Sequence, residues 1–239
     1  MAFRHGKDTK VLANGVDLSQ YLNSAESSGS VDTADVTTFG SSNRKYLPGP
    51  EDATMSLEGF FDGSADAIDQ VLKSALGSDQ VTVLYFPHGD AVGQPGVGMQ
   101  AIESNYTVTS TIDDAARISA DLQSKTGFDR VISLAELAAR TATGTGQVVD
   151  NGAETNNGAV GYLQVTNVSG AGASVAVEIE HSSDNFVADI LPLVTFNAAA
   201  APGAQRVEVA GTVKRYVRAR WTIAGTTPSI TLAVALARK

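Results

Sequence analysis

The side chains that could do chemistry are few and scattered along the chain. There are three histidines, His5, His88 and His181. None has a second histidine or a carboxylate at metal-ligand spacing, so each reads as a turn or surface residue. Asp184-Asn185, just after His181, reads as a turn. Asp150 to Gly158 holds several oxygen ligands but fails the spacing of a calcium loop. Serine is abundant, yet no G-x-S-x-G elbow occurs. Gly144-Thr145-Gly146-Gln147 lacks the G-K-[ST] ending and the preceding buried strand of a phosphate loop. There is no cysteine, which excludes disulfides and thiolate metal sites. A hydrolase would need a convergent Ser/His/Asp set or a carboxylate pair, and these residues supply neither. No enzyme activity, metal or other cofactor is expected.

One cluster has the residue types of a binding surface. Lys214, Arg215, Arg218 and Arg220 stand beside Tyr216 and Trp221, a basic-aromatic combination that could serve nucleic acid or glycan. The same residues also fit a sandwich strand. Val217, Ala219 and Trp221 then point inward, and Arg218 and Arg220 lie solvated on the outer surface. Period-two spacing favours the strand. A carbohydrate-binding surface module is the main alternative function, but one Trp and six Tyr support it weakly.

The bulk composition narrows the class further. Of 239 residues, 43% are hydrophobic and 18% charged, which excludes a disordered chain. Net charge is -9, and its distribution is uneven. Residues 1–140 carry 10 Lys and Arg against 19 Asp and Glu, while residues 141–239 carry 7 against 7. An acidic surface repels nucleic acid, whose binding runs through Lys and Arg. It does suit a surface that DNA slides past without sticking. No apolar run approaches the roughly 18 residues of a membrane helix. The opening MAFRHGKDTK has no apolar stretch behind its positive charges, so no secretory signal is expected there.

The elements that would position these residues are mostly strands. Asn14-Gly15 between two apolar runs predicts a hairpin over Val11–Leu18. Ser27–Val31 reads as strand, and polar, aperiodic Thr33–Gly49 as a long loop with a hairpin-like outline. Ala53–Phe61 returns to strand. One helix is expected, capped by Ser64 and closed by Gly77. Its apolar face is Ala67, Ile68, Val71, Leu72, Ala75 and Leu76, with Asp66 and Asp69 near its start. Gln80–Phe86 reads as a buried strand and Pro87–Gly98 as a loop. Met99–Thr111 and Ala115–Gln123 pair around a turn at Asp113-Asp114. In the second of these, Arg117, Ser119, Asp121 and Gln123 share one face and Ile118, Ala120 and Leu122 the other, which predicts a sheet with one dry and one polar face.

Ala138–Gly158, rich in Ala, Thr, Gly and Asn, reads as a linker. Six strands are expected beyond it: Val160–Thr166, Ser174–Glu180, Phe186–Val194, Arg206–Val209, Arg215–Ile223 and Ser229–Ala237. The expected organisation is a domain over 1–140, a linker over 141–158 and a β-sandwich over 159–239.

Three short stretches carry a family resemblance. They are Val36-Thr37-Thr38-Phe39-Gly40, then Arg44-Lys45-Tyr46-Leu47-Pro48-Gly49, then Thr54-Met55-Ser56-Leu57-Glu58-Gly59 with Phe61-Asp62. This pattern resembles the major tail tube proteins of long-tailed, non-contractile phages (siphophages), over about residues 8–137. The resemblance implies a mainly β fold: a tail-tube β-sandwich or half-barrel with one flanking helix, followed here by an immunoglobulin-like or jelly-roll-like sandwich on the tube's outer wall. It implies a structural virion protein, assembled in the host cytoplasm, whose hexameric rings stack into a tube for genome ejection. Its partners would be further copies of itself and the tape measure, tail terminator and distal tail proteins. Double-stranded DNA would pass through without specific binding, and no membrane is involved. The ring-stacking element would be the loop with Thr37, Phe39, Gly40, Arg44, Lys45, Tyr46, Pro48 and Gly49. Glu58, Arg117, Ser119, Asp121 and Gln123 would face the lumen. A tube protein of a contractile injection or secretion system is the second alternative, disfavoured because a sheath leaves little room for an outer domain.

Overall fold

A computed structural model describes residues 5–64 and 67–239. Asp66, expected near the helix start, lies outside the described residues. The fold is mainly β with a single α-helix among the described residues. In chain order the strands are β1 (Lys10–Ala13), β2 (Val16–Asp17), β3 (Leu22–Asp35) and β4 (Tyr46–Phe60), then helix α1 (Ile68–Ala75), then β5 (Val81–Phe86), β6 (Pro95–Thr109), β7 (Arg117–Ser124), β8 (Asp129–Arg140), β9 (Gly144–Thr145), β10 (Val149–Asp150), β11 (Ala159–Ser182), β12 (Leu191–Thr195), β13 (Gly203–Val209) and β14 (Tyr216–Arg238). All pairings between these strands are antiparallel.

The expected hairpin at Asn14-Gly15 is present. Both residues have positive φ, 48° and 81°, as a tight two-residue turn requires. VTVLYF is buried on both sides because β5 lies between two cores. Val81 and Val83 face one core with Met55, Leu57, Leu122 and the α1 residues Ile68 and Leu72. Leu84 and Phe86 face a second core with Leu12, Val160, Tyr162 and Ala235. The helix begins later than expected. Ala67 sits at its N-cap without a side-chain cap, and Ser64 contributes only its carbonyl, accepting from the Ala67 N–H. Gly77 follows its end at φ 76°.

The second half is built on two very long strands. β11 and β14 pair along nearly their whole length. The sequence suggested a break in each, and the structure bends them instead. The register shifts between Val165 and Asn167 and around Ser169–Ser174, and Gly225 faces the second of these at φ 116°. A backbone without Cβ takes up that bend, so one ribbon supplies both layers of a sandwich. The layers meet closely at Gly161, where a Cβ would stand 2.8 Å from Val194 Cγ1 and 3.1 Å from Ile179 Cδ1. The strand expected over Phe186–Val194 is shorter, starting at Leu191. Residues 183–190 instead wrap the Asp184 carboxylate, which accepts from the N–H groups of Val187, Ala188 and Asp189.

Between the two halves the chain stays in the sheet. β8, which has no counterpart among the expected strands, pairs with both β6 and β14. In the stretch read as a linker, β9 pairs with Trp221 and Arg220, and β10 with Val217 and Tyr216. Arg206 of β13 and Asp129 of β8 form an ion pair at 2.9 Å, about one-tenth exposed on each side.

Candidate assembly surface

β3, β4, β7 and the second half of β6 form a four-stranded sheet with two unlike faces. Met55, Leu57, Ile118, Ala120 and Leu122 are buried beneath it. Alternation sends the intervening residues outward. Register then assembles a polar face in rows. Glu26 lies opposite Ser56, which lies opposite Asp121, which lies opposite Asn105. Ser24, Glu58, Ser119 and Thr107 form the next row, and Ser28, Thr54 and Gln123 another. The five residues anticipated on this face, Glu58, Arg117, Ser119, Asp121 and Gln123, therefore share it. Asp121 is its organiser: Ser56 Oγ donates to Oδ1 at 2.8 Å and Asn105 Nδ2 to Oδ2 at 3.0 Å. Gln123 Nε2 hydrogen-bonds to Asp52. Arg117 lies over the Phe60 ring and pairs with Asp114 at 2.8 Å, which holds the Asp114 carboxyl below its usual range. Ser56 and Asn105 were missed in the sequence, because only cross-strand register brings them to Asp121.

Both edges of this sheet are open among the described residues. β3 pairs only with β4, and β6 from Ser104 to Thr109 pairs only with β7. Unpaired edges of this length invite pairing with another chain.

β3 and β4 continue far beyond the body as an arm. The expected loop over Thr33–Gly49 has strand at both ends: the ladder runs on through Thr33–Pro48 to Asp35–Tyr46, and residues 36–45 form the hairpin tip. The reason is local pairing that needs no apolar face. Thr37 Oγ1 accepts from the Lys45 N–H at 2.9 Å, and Val36 N–H donates to Lys45 O at 2.8 Å. Asp35 accepts from Thr37, which lowers its carboxyl pKa. Thr37, Phe39, Gly40, Arg44 and Lys45 thus cluster at the tip, while Tyr46, Pro48 and Gly49 lie on β4. No residue from Gly29 to Asp52 is buried. Yet the arm carries Val31, Val36, Phe39, Tyr46 and Leu47, all exposed.

The basic-aromatic cluster of the second half takes the strand arrangement. Val217, Ala219 and Trp221 are buried, and Trp221 Nε1 donates to Ala142 O. Arg218 pairs with Glu180 at 2.7 Å and stacks over Phe186, while Arg220 pairs with Glu178 at 3.1 Å. A flat glycan platform on Trp221 is thereby ruled out. His181, expected at the surface, is buried on β11, where its Nδ1 accepts from the Lys214 N–H and burial lowers its pKa. His5 caps a short 3-10 turn by accepting from the Lys7 N–H. No group of three or more metal-ligating side chains occurs among the described residues, and no helix there is long and apolar enough to cross a membrane.

No family model matches the chain, and no curated protein matches it. Several solved structures share part of its layout. A chain of the virion of a native gene transfer agent particle aligns at 19% identity and TM-score 0.43, covering 54% of this chain and 98% of that one. The Dit protein of phage SPP1, described as a hub adsorption apparatus, aligns at 12% identity and TM-score 0.38, covering 95% and 98%. The tube-terminating cap of an anti-feeding prophage aligns at 12% identity and TM-score 0.41, covering 54% and 92%. All three scores lie below 0.5, too low to transfer a role.

Proposed function

We propose that this chain is a structural, non-enzymatic subunit of a long-tailed phage's tail tube. Six copies close into a ring, and rings stack into a conduit for DNA. The observation that carries the reading is the arm, whose 24 residues from Gly29 to Asp52 include none that is buried. A two-stranded ribbon is marginal by itself in water. Five exposed apolar side chains on such a ribbon need a partner surface. Ring closure would pair the β3 edge of one copy with the Ser104–Thr109 edge of the next, removing both open edges at once. The polar face would then line the lumen, with Asp121, Glu58 and Glu26 repelling phosphate. The sandwich with Arg218 and Arg220 would lie outside. Tape measure, terminator and distal tail proteins would meet the finished tube.

Negative-stain microscopy of purified protein tests this. Rings or tubes are expected. Phe39→Asp should abolish stacking while shifting folding stability by less than about 0.5 kcal/mol, since an exposed tip contributes nothing to the core. Monomers alone at high concentration, with tail partners added, would overturn the reading.

A further inference from the structure

The two ends of the four-stranded sheet differ in shape. At the arm end, a groove of about 720 Å³ opens between the arm and the body. Val31, Val97, Phe128, Val131 and Ile132 line it, with Arg130 among them. Phe128 packs under the root of the arm, so the groove has a firm floor: a Cβ on Gly29 would stand 3.4 Å from its ring. Six residue steps separate the Thr54–Gln123 level from the Phe60–Arg117 level, which is roughly 20 Å of strand. At that far end is the turn between β6 and β7. Ile112 stands at its apex fully exposed, and behind it Phe60 and Val108 are exposed on the polar and the opposite face of the sheet. The Ile112 side chain has no core role here, and docking it in an apolar groove would take its surface out of water.

We propose that the Ile112 turn of one copy docks in the arm-root groove of the next copy along the tube axis. The occupant is a second copy of this chain because knob and groove lie at opposite ends of one sheet. That placement gives a heterologous, head-to-tail contact, which repeats into a filament instead of closing on itself. Charge agrees at one position. Asp113 flanks the knob, Arg130 lines the groove, and neither makes an ion pair among the described residues. Glu51, on the arm side of the groove, sets a limit on how many acids the knob can carry. The contact rests on the tube reading and adds its axial register: the apolar knob enters behind the arm, so each arm overlaps the neighbour it holds.

The absence of cysteine makes a clean cross-linking test possible. Ile112→Cys and Val31→Cys single variants, mixed under tube-forming conditions and oxidised, should give covalent dimers. The double variant should give a ladder, and each single variant alone should give neither. Val187→Cys, exposed in the second half, replaces Val31→Cys as the control and should link at least ten-fold less. Ile112→Asp should abolish tubes with an unchanged urea midpoint. Tubes without the Ile112–Val31 link, equal linking to Val187, or intact tubes from Ile112→Asp would each overturn the contact and leave the tube reading standing. A wild-type protein that forms no tubes would overturn both.

Discussion

The Gly15 N–H donates to Oε1 of Gln164 at 2.7 Å in a fully buried bond spanning 149 residues of sequence. The same amide returns a bond from Nε2 to Thr82 O at 2.9 Å. One side chain on β11 therefore satisfies backbone groups of the first hairpin and of β5. Gly15 is held so close that a Cβ there would stand 2.3 Å from Gly203 N. Gln164→Leu keeps the volume but leaves the buried Gly15 N–H unpaired, while Thr82 O keeps its bond from the Asn14 N–H at 3.1 Å, so about 1–3 kcal/mol of stability should be lost in urea melts. Removing residues 147–239 would also uncover Leu12, Leu84, Phe86 and Val131, whose partners Val160, Tyr162, Ala233 and Ala235 come from the second half. That truncated chain should be insoluble, which light scattering after expression would show.

A second joint is ionic. Arg206 Nε and Nη2 both donate to Asp129 Oδ2, at 3.1 and 2.9 Å, and Arg206 Nε also donates to Tyr162 Oη at 3.0 Å. The Tyr162 hydroxyl hydrogen-bonds to the same carboxylate, and burial, followed by the Asp129 charge, pushes its pKa above the ordinary value. Arg206→Ala should cost about 3–5 kcal/mol by stranding Asp129 in a largely dry site. Adding Asp129→Leu should recover part of that loss. A double-mutant cycle measured by urea unfolding gives the coupling, which should exceed 1 kcal/mol or so.

Glu103 should make stability depend on pH. Its side chain is fully buried, and neither carboxyl oxygen has a partner among the described residues. Desolvation raises its pKa to about 8. The native protein therefore keeps the proton up to about pH 8, while the unfolded chain releases it near 4.5. Between those values the native state binds more protons, so stability falls as pH rises through the window and levels off above it. The full loss approaches about 5 kcal/mol. His181 works in the opposite sense near its ordinary value, since its pKa is lowered. The difference between wild type and Glu103→Gln cancels that contribution. The wild-type urea midpoint should drop relative to the variant from pH 5 to pH 9.

The sequence made the local devices readable. Asn14-Gly15 announced its turn, and the alternation over Arg117–Gln123 announced a two-faced strand, because both depend on neighbours in sequence. β8 escaped because Leu134, Leu137 and Ala138 fall at helical spacing, and only its place between β6 and β14 makes it a strand. Gly225 looked like a chain break because local propensity cannot tell a bend within a paired ribbon from the end of a strand. On the polar face, Asp121 was legible, but its partners Ser56 and Asn105 stand 65 and 16 residues away and are fixed by register alone. The depth of the arm was hidden for a similar reason. Its ladder needs no apolar alternation, so polar strand and polar loop read alike.

Asp121 gives the sharpest test of the proposal that the polar face lines a DNA conduit. It is exposed, and it organises its row by accepting from Ser56 and Asn105. Exposed hydrogen bonds of this kind contribute about 1 kcal/mol each at most, so Asp121→Lys should still fold and assemble. Each substituted copy changes the charge of the face by +2, and the proposed ring would repeat that change around its whole circumference. Lysines along a conduit would bind phosphate through counterion release, with affinity rising steeply as salt falls. Tubes of Asp121→Lys should therefore retain double-stranded DNA in a filter assay at 50 mM salt and release it at higher salt. Asp121→Asn removes the charge and keeps the amide's hydrogen-bonding capacity, and should retain little. Ser119→Lys, one row along, adds +1 per copy and should retain DNA in the same salt-dependent way but more weakly than Asp121→Lys. If Asp121→Lys and Asp121→Asn tubes hold DNA equally at low salt, the polar face does not line the lumen.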